Sequence, residues 1–519
     1  MPFINTRDVI GDQATLDGLV AHTLTELKES GVNRLGAYAF YKNTGIISVE
    51  FPGLSDGTIC TSAFYNCTHL TTAAFPDITN FATYMFNYCT SLTDISAPVV
   101  TYGGQAAFMS CSALETVNFP MMRGFGQNIF QACVNLSAIS FSTSLTSIAT
   151  SAFQICYKLE SINLSNVTSI SAAAFYACTQ LSSVSLQRLK NLGYSAFLGC
   201  HIPKLILPVA SYIGQSATDY AREVDLYSQA TIDQNAFYDD INLFSLLLRS
   251  SAMTTLRSVN AFGGTPIGSG YGKVYVPGEL VSSYREATNW AYIAEHIESL
   301  ENYTDGGPTG GETITDSWAT ILTNNNYATD YSIGDTKWLP AMDSYILMQI
   351  VAFDADELSD NTGYAHITWL CKGYQGLHKM NLTDTISGGW ASSDMRTWLI
   401  NDVLPTIDPT VSACIKTVKK TFVNRLPTAG TYTSNDDIWI PSAREIFGGT
   451  NYESSGCVYT GFFADSTSRV KYRYWTSSHN DLWWLRTVNN NYFACVNNSG
   501  SFTGNYPNGS NGVVFGFCT

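Results

Sequence analysis

The chain has 519 residues, of which only 13% are charged, and its 27 basic and 42 acidic side chains give a formal net charge of −15. At this length, two or more domains are expected. A weakly charged, acidic chain repels phosphate backbones and anionic lipid surfaces, so we expect no nucleic-acid partner and no membrane insertion. No apolar run reaches the roughly 18–20 residues that a membrane-spanning helix needs.

Residues 1–34 predict an N-terminal helical cap or attachment segment. Within residues 8–30, one face of an amphipathic helix would carry Leu16, Leu19, Val20, Leu24 and Leu27. Such a helix would cover the open edge of a following sheet, and docking to a larger assembly is the alternative role. The opening residues lack a basic stretch followed by an apolar one, so we expect no secretory signal.

A cysteine recurs every 22 or 23 residues over the next part of the chain, within the pattern Ala-Phe-x-x-Cys-x-x-Leu or a close variant of it. The seven members are Cys67, Cys89, Cys111, Cys133, Cys156, Cys178 and Cys200. A period in this range indicates stacked coils rather than a globule. In each unit the Leu-x-x-(Ile/Val)-x-(Phe/Leu) stretch predicts a short strand, and Ala-Phe-x-x-Cys predicts one helical turn that packs Phe inward.

The repeated cysteine is interpreted as a small buried hydrophobe that tolerates close approach of the backbone. A metal or redox role is the alternative, although no acidic or basic residue repeats in register beside the thiols. The remaining cysteines show no Cys-x-x-Cys pairing, so we expect no structural zinc site at Cys60, Cys371, Cys414, Cys457, Cys495 and Cys518.

These units resemble the leucine-rich repeats of the BspA-like family, which is common in bacterial surface proteins and in some phage structural proteins. The resemblance covers residues 35–300, and its closing strand and capping helix correspond to the segment Lys273–Leu300. It implies a leucine-rich-repeat solenoid with short parallel strands, which would act as a rigid spacer. The following residues, 301–315, predict a flexible Gly/Pro/Thr linker.

After the linker the repeat ends, and nine of the ten tryptophans lie beyond residue 310. IGDTKWLP followed by SYILMQIVAFD predicts a strand pair, and residues 388–407 predict a helix that Ser393 caps. DDIWIPSAREIFGG predicts a strand followed by a short helix, and RYWTSS, WWLRTV, YFACVN and GVVFGF predict short strands. Residues 316–519 therefore predict an α+β domain with a small, irregular sheet.

This second half is similar to a bacterial and phage domain family of unknown function that looks like the C-type-lectin fold. The landmarks of that family, a WLRS strand, a VxxxG turn and a GVRPA strand, correspond to residues 484–487, 496–500 and 512–516. Thr487 replaces the family's Ser, and Val514 and Phe515 replace its Arg-Pro. The predicted fold is thus α+β, a BspA-like solenoid followed by a C-type-lectin-like binding domain.

Residues 472–519 combine nine Asn with several Tyr and Trp but hold only three formal charges. This composition is typical of a recognition surface, and plain turns formed by Asn and Gly are the alternative. The candidate ligand-binding residues are His479, Asn480, Asp481, Trp483, Asn489, Asn490, Asn491, Tyr492, Asn497, Asn498, Ser501, Asn505 and Tyr506.

Lectin-like domains at the end of phage or bacterial surface proteins include the variable proteins of diversity-generating retroelements. Those systems mutate adenines, so the resemblance implies that the Asn-rich positions of this tail are diversified. Calcium is not expected, because Asn480 and Asp481 supply too few carboxylates, and no other cofactor is expected. The dispersed His residues and Cys457, Cys495 and Cys518 match no nucleophile motif, which argues against an enzyme.

We therefore predict a non-enzymatic adhesion or receptor-binding protein. The first choice is a phage tail protein of the virion whose C-terminal domain binds a host-cell surface protein or glycan. Its N-terminal segment would bind other tail proteins, and a homotrimer is expected by analogy with them. The alternative is a bacterial adhesin, at the cell surface or secreted, that binds its ligand through the solenoid. A glycan-active or formylglycine-generating-like enzyme is the third.

Overall fold

The computed structural model describes residues 25–28, 35–303, 312–342, 344–375, 377–424, 430–448, 458–459, 462–469, 471, 482–489 and 492–519. The chain divides into two compact units. Unit 1 comprises residues 1–268 and 273–305, and unit 2 comprises residues 269–272 and 306–519. Among the described residues, no helix is both long enough and apolar enough to cross a membrane.

Unit 1 is a solenoid in which most coils contribute a strand to a first face, a shorter strand to a second face, or both. The first-face strands are β1 (Glu26–Lys28), β2 (Ser48–Glu50), β3 (Thr72–Ala74), β5 (Asp94–Ser96), β7 (Thr116–Phe119), β9 (Ala138–Phe141), β13 (Lys204–Leu207), β15 (Glu223–Leu226), β17 (Ser245–Leu248), β19 (Lys273–Val276) and β20 (Ile297–Ser299). The second-face strands are β4 (Asn80–Phe81), β6 (Tyr102–Gly103), β8 (Gly124–Phe125), β10 (Ser147–Ile148), β11 (Ser169–Ile170), β12 (Asn191–Leu192), β14 (Tyr212–Ile213), β16 (Thr231–Ile232) and β18 (Thr255–Leu256).

Pairing between coils is parallel and in register on both faces. On the first face Val49 lies beside Ala73 and Val117 beside Ile139, and on the second face Ile148 lies beside Ile170. Inward and outward residues alternate along each strand, because successive side chains of a strand point to opposite sides. The predicted solenoid of short parallel strands is therefore confirmed.

The Ala-Phe-x-x-Cys stretch is not the helical turn that the sequence predicts. In the coil that contains Cys133, the residues Asn128 and Ala132 have positive φ angles of 61° and 59°. Alternate N–H groups of this stretch donate to the next coil, as from Phe130 to the carbonyl of Ala152 at 2.9 Å. The others donate three residues back within the coil, as from Cys133 to Phe130 at 3.1 Å. Because half of the N–H groups bond to the neighbouring coil, no α-helix forms.

The repeated cysteines form a ladder of hydrogen bonds inside this turn. The seven thiols are buried, and each lies within 3.0–3.2 Å of the carbonyl oxygen of a Phe in the preceding coil. Burial raises the pKa of the Cys133 thiol to about 12, so the sulfur keeps the proton that it donates. The side chains are buried as predicted, and they also make a polar contact that the sequence did not indicate.

The inward phenylalanines stack in a continuous column beside the thiols. Successive ring centroids lie 5.1–5.6 Å apart with nearly parallel planes along Phe40, Phe64, Phe86, Phe108, Phe130, Phe153, Phe175 and Phe197. Aromatic pairs at such distances contribute about 0.5–1.5 kcal/mol each beyond the area that they bury. This column forms the middle of the unit 1 core.

The two ends of unit 1 differ from each other in how well the sequence predicts them. The helix predicted over residues 8–30 is wrong at Glu26–Lys28, which is a strand paired with β2, and the other described residue before 35, Thr25, is not helical. Leu27, expected on the apolar face of that helix, is buried in the solenoid core instead, so the solenoid begins before residue 35.

At the other end of unit 1, the predicted closing strand is β19 and the predicted capping helix is α1 (Val281–Glu286). Short 3₁₀ helices occupy Val259–Phe262, Gly278–Leu280, Trp290–His296 and Leu300–Asn302.

Unit 2 contains strands and short helices, as the α+β prediction requires. Its strands are β21 (Thr336–Ala341), β22 (Ser344–Phe353), β23 (Ile367–Cys371), β24 (Leu377–Lys379), β25 (Val418–Asn424), β26 (Gly430–Asp436), β27 (Ile438–Trp439), β28 (Trp483–Asn489), β29 (Tyr492–Val496), β30 (Phe502–Asn505), β31 (Ser510–Gly512) and β32 (Gly516–Cys518). Its α-helices are α2 (Trp318–Thr323), α3 (Tyr327–Asp330), α4 (Asp394–Trp398), α5 (Pro409–Ser412), α6 (Ala443–Phe447) and α7 (Ser466–Arg469). The helix α4 follows a 3₁₀ turn (Trp390–Ser392) and continues as a π-helix (Leu399–Val403) and a 3₁₀ turn (Leu404–Thr406).

Within the residues of unit 2 that the structure describes, the strands form two five-stranded sheets and one hairpin. One sheet has the order β21-β22-β23-β32-β27, the other has the order β24-β31-β28-β29-β30, and β25 pairs with β26. The predicted strand pair is β21 with β22, which are antiparallel. Ser393 caps α4 by accepting the N–H of Arg396, as predicted, and Ser442 with Glu445 forms a capping box on α6.

The last predicted strand, GVVFGF, is divided in the structure. Gly512 ends β31 in one sheet and Gly516 begins β32 in the other, so the residues between them cross from sheet to sheet. Val513, Val514 and Phe515 are fully buried in this crossing, which explains why they read as a core strand. The predicted RYWTSS strand and residues 304–311 of the predicted linker lie outside the described residues.

Candidate functional site

A shallow groove of about 840 Å³ lies on the first face of unit 1. Four successive coils line it, and their outward side chains are Thr116, Asn118, Ala138, Ser140, Ser161, Asn163, Ser183 and Ser185. These eight residues are exposed, and the residues between them, such as Ile139, point into the core. We call this surface the neutral groove.

The neutral groove offers hydroxyl and amide groups without any charged side chain. Ser140 donates a 2.6 Å hydrogen bond to the amide oxygen of Asn118 on the neighbouring coil. Small side chains leave the backbone close to the surface, so a ligand could lie flat across several strands. Such a surface can exchange hydrogen bonds with an uncharged ligand, and it has no group suited to acid–base or nucleophilic catalysis.

A second groove of about 480 Å³ adjoins the first toward the N-terminal coils. Thr116 and Asn118 line both grooves, and the second one also includes Glu26, Lys28, Glu50 and Asp94 among its lining residues. Lys28 and Glu50 form an exposed ion pair at 2.7 Å. The same face therefore changes from charged to neutral along the stack.

The candidate ligand-binding residues of the C-terminal tail are only partly within the described structure. His479, Asn480, Asp481, Asn490 and Asn491 lie outside the described residues. The backbone of Asn489 ends β28, and its side chain is not among those described. The remaining seven candidates can be placed.

Trp483 is a correction to the predicted recognition surface. Its side chain is fully buried, and its indole N–H donates to the carbonyl of Arg469 at 3.1 Å. The neighbouring Trp484 is also fully buried and donates to the carbonyl of His378. Both indoles support the sheet from inside, because a buried indole needs an acceptor for its N–H.

Asn497 and Asn505 are used largely within the local structure. The side-chain oxygen of Asn497 accepts from the N–H groups of Ser499 and Ser501, which closes a turn at Gly500, where φ is +75°. The side chain of Asn505 donates to Asn511 at 3.0 Å. These contacts agree with the alternative interpretation of the Asn-rich tail as turns.

Tyr492 and Tyr506 form the exposed aromatic part of the tail. Their ring centroids lie 4.8 Å apart in an edge-to-face arrangement, and Tyr506 is 51% exposed. Asn498 and Ser501 are exposed in the neighbouring turn. Of the predicted recognition residues that the structure describes, Asn498, Ser501 and Tyr506 are exposed and Tyr492 is partly exposed.

Within the described ranges, no group of three or more His, Cys, Asp or Glu is arranged to hold a metal ion. The neutral groove was not predicted from the sequence. Its signal is the absence of charge at the outward positions of the first face in four consecutive repeats, two of which form strands there. That signal becomes visible only when the repeats are aligned as strands and their alternating residues are assigned to two sides.

Comparison with known proteins agrees with the coil structure of unit 1. A model described as a BspA type leucine rich repeat region matches six copies, over residues 22–136 and 101–225. A second model, described as a domain of unknown function (DUF6273), matches residues 368–518. No curated protein matches the chain.

Several solved leucine-rich-repeat structures are similar to part of the chain. A leucine-rich repeat protein from Bacteroides ovatus is 20% identical, with a TM-score of 0.37, and the match covers 51% of this chain and 82% of that one. A leucine rich cell surface protein from Faecalibacterium prausnitzii is also 20% identical, with a TM-score of 0.32 and coverage of 53% and 87%. The repeat model and the observed coils together show that this chain carries a BspA-type leucine-rich-repeat region folded as a β-solenoid.

Proposed function

We propose that the chain is a non-enzymatic adhesin that binds an uncharged ligand through the neutral groove of unit 1. The observation that carries this proposal is the row of eight exposed, uncharged side chains on four adjacent coils. Solenoid proteins use extended faces of this kind for binding. A location at a bacterial cell surface fits the resemblance of the repeats to those of bacterial surface proteins.

The ligand of this proposal carries hydroxyl or amide groups and little charge. Neutral side chains can replace the water that hydrates such a ligand without having to desolvate a charged group. A glycan or a peptide segment exposed on a cell surface has this chemistry. Because each coil repeats the same spacing, a ligand with repeating units would meet equivalent positions on successive coils.

A recognition surface in unit 2 is the second candidate, and the exposed pair of Tyr492 and Tyr506 supports it. In that proposal the tail binds a host-cell ligand, as in a phage tail protein or a retroelement-diversified variable protein with a lectin-like fold. Assembly into a virion through residues 1–34, and a homotrimer, belong to the same proposal. Tyrosine supplies rigid amphipathic contact area, which suits such a surface.

Binding of the labelled full-length protein to intact bacterial and host cells tests both candidates. Ser140→Arg and Ser161→Arg place a bulky charge in the neutral groove, whereas Ser147→Arg makes the same change at an exposed position of the second face. We expect the two groove variants to lose at least tenfold in affinity and the control to bind as wild type. If Tyr506→Ala abolishes binding while the groove variants retain it, the second candidate replaces the first.

A further inference from the structure

A buried cluster of four charged side chains lies in unit 2. Lys420 on β25 and Arg486 on β28 supply the cations, and Asp356, which follows β22, and Glu445 on α6 supply the carboxylates. Each of the four side chains is at most 2% exposed. Two cations and two anions make the cluster neutral overall.

Backbone pairing places Lys420 directly beside Asp356. Leu358 forms an antiparallel bridge with Val418, and the N–H of Lys419 donates to the carbonyl of Glu357 at 2.8 Å. In an antiparallel pair, the residues two positions away from a bridge on each segment also face each other on the same side of the sheet. Counting from the bridge between Leu358 and Val418, these residues are Asp356 and Lys420. Their contact joins Lys420 Nζ to Asp356 Oδ1.

Polar groups hold the reacting ends of these two side chains in place. Lys420 Nζ lies 3.2 Å from Glu445 Oε1 and 2.9 Å from the Tyr459 hydroxyl. The second carboxylate oxygen of Asp356 accepts from Thr368 Oγ1 at 2.7 Å and from the Tyr459 hydroxyl at 3.2 Å. The amine, the carboxyl group and a second carboxylate therefore meet at one point.

The surroundings of this point are buried and include an aromatic ring. Lys420 Nζ lies 3.3 Å from the centroid of the Trp439 ring, which is fully buried. Arg486 holds Glu445 in a bidentate pair, with nitrogen–oxygen distances of 2.7 and 2.8 Å. Burial raises the pKa of Glu445, but the nearby Arg486 and Lys420 outweigh it and hold the pKa below its usual value, so this carboxylate is ionised.

We propose that Lys420 and Asp356 become joined by an intramolecular amide bond between Nζ and Cγ, with Glu445 as the proton carrier. Glu445 accepts a proton from the Lys420 ammonium, and the nitrogen lone pair then attacks Asp356 Cγ. One Cγ–O bond breaks, and the oxygen leaves as water with two protons that came from the ammonium. The amide keeps the third proton, no electrons are gained or lost, and Glu445 returns to its carboxylate form.

Two physical effects favour this condensation inside the folded domain. Positioning the amine against the carboxyl group gives effective concentrations that can reach about 10⁵ M or more. Burial of an ion pair carries a desolvation cost, and the amide removes two of the four buried charges. The charges that remain, Glu445 and Arg486, are already paired with each other. Hydrolysis of the amide would require water to return to this buried site, so the reverse reaction is slow.

The product would cross-link the β25–β26 hairpin to the segment that follows β22. This inference is independent of where the chain binds its ligand, since all of its residues lie in unit 2. A covalent tie of this kind would resist mechanical extension, which is an advantage for a protein that holds a cell under load.

Intact mass spectrometry of the purified full-length protein, unfolded before measurement, tests the proposal. The expected mass is lower than the sequence mass by one water, and a protease digest should contain a branched peptide that joins Lys420 to Asp356. Lys420→Met should restore the full sequence mass. Asp356→Asn should lose ammonia instead of water, so that its product has the same final mass as the wild-type product.

A neighbouring pair provides the matched control. Lys419 and Glu357 form an ion pair one position along, and both are partly exposed, so Lys419→Met should still lose one water. Glu445→Gln should slow or abolish the loss, and cross-linking at the wild-type rate in that variant would overturn the role of Glu445. Wild-type protein with its full sequence mass and no branched peptide would overturn the proposal, whether or not any variant folds.

Discussion

One residue position in the repeat shows why cysteine recurs there. The carbonyl of each ladder Phe already accepts an N–H from its own coil, and the thiol of the next coil supplies a second donor to the same oxygen, as with Cys133 and Phe108. Alanine would leave a small void and no donor, whereas a longer side chain would collide with the stacked rings. Cysteine is small enough to fit beside the rings, apolar enough to be buried there, and still able to donate a weak hydrogen bond to the Phe carbonyl.

The ladder thiols should be chemically silent in the native protein. Burial raises the pKa of Cys133 to about 12, so almost no thiolate exists at pH 8, and thiolate is the reactive form. We expect alkylation of the folded protein at pH 8 to modify Cys414, which is partly exposed, and to spare Cys133. Peptide mass spectrometry after a timed reaction measures both. Equal labelling of the two residues would show that the coils open readily.

In a later coil, Asp240 occupies the position of the repeated cysteine, after Ala236 and Phe237. This replacement makes the stability of unit 1 depend on pH. Asp240 is fully buried, and its carboxylate accepts hydrogen bonds from Thr218 Oγ1 at 3.5 Å, from the N–H of Asn242 at 3.4 Å and from the backbone of Ala221. Burial, with a contribution from Asp219, raises the pKa of Asp240 well above its usual value. The folded state therefore favours the protonated acid.

Because the folded-state pKa of Asp240 is raised, its stabilising contribution is complete below the unfolded pKa of about 3.9 and declines as pH rises through the folded value. Unit 1 should accordingly lose stability from acidic toward neutral pH. Asp240→Asn and Asp240→Cys, both neutral at this position, should flatten that decline and raise the Tm at pH 8 by a few degrees. Thermal unfolding followed by far-UV circular dichroism at several pH values measures the effect. Parallel pH curves for wild type and both variants would contradict it.

At the scale of elements, the repeat period and the strand alternation could be predicted from the sequence, and the turn could not. A short strand is recognised by its alternation, as in Thr116–Phe119, because the two sides of a strand differ in burial. The pattern Ala-Phe-x-x-Cys has no comparable local signature. Its backbone takes left-handed angles at non-glycine residues such as Ala132, and the bonds that stabilise those angles come from the next coil. The sequence predicts a helix at the first strand, Glu26–Lys28, for a similar reason. This strand is stabilised by pairing with Ser48–Glu50 in the next coil, which its own residues do not indicate.

The phenylalanine column predicts a positional effect on stability. Phe130 stacks on two neighbours, Phe108 at 5.4 Å and Phe153 at 5.6 Å, whereas Phe197 ends the column and stacks only on Phe175. Leucine keeps most of the buried apolar area and removes the ring contacts. Phe130 also lies 6.5 Å from Phe119 and 6.4 Å from Phe141. At about 0.5–1.5 kcal/mol per aromatic pair, the two column contacts alone predict that Phe130→Leu lowers the free energy of unfolding by at least about 1–3 kcal/mol, and Phe197→Leu, with one contact, by at most half as much.

Chemical denaturation of the two variants, followed by circular dichroism, measures this difference. In each coil the N–H of the column Phe bonds to the carbonyl of the residue just before the equivalent position of the next coil, as from Phe175 to Ala196. The N–H of Phe197 bonds in the same way to Ala217, so the equivalent position is Thr218 and no further ring extends the column. Equal losses for Phe130→Leu and Phe197→Leu would show that the column contributes through burial alone.

At the scale of the whole molecule, both functional features depend on residues that the sequence separates. The neutral groove gathers side chains from four coils, and the buried charge cluster gathers Asp356, Lys420, Glu445 and Arg486 from four distant segments of unit 2. Composition directed attention to the Asn-rich tail instead, where the structure places Trp483 in the core and Asn497 in a turn. Composition identifies residue types, whereas a site requires knowledge of which residues share a surface.

The neutral groove also predicts how binding depends on salt. Dissolved salt screens the attraction between exposed charges that lie farther apart than the Debye length, which is about 10 Å at 0.1 M salt and becomes shorter as salt rises. The affinity of a charged interface therefore falls steeply with salt. The eight outward residues of the neutral groove carry no charge, whereas the adjoining groove includes Glu50 and Asp94. We expect cell binding by the full-length protein to change less than about twofold between about 50 and about 500 mM NaCl, since little charge is screened. Asp94→Asn should bind like wild type across that range. A steep loss of affinity with salt that Asp94→Asn relieves would move the binding site toward the N-terminal coils and away from Ser140.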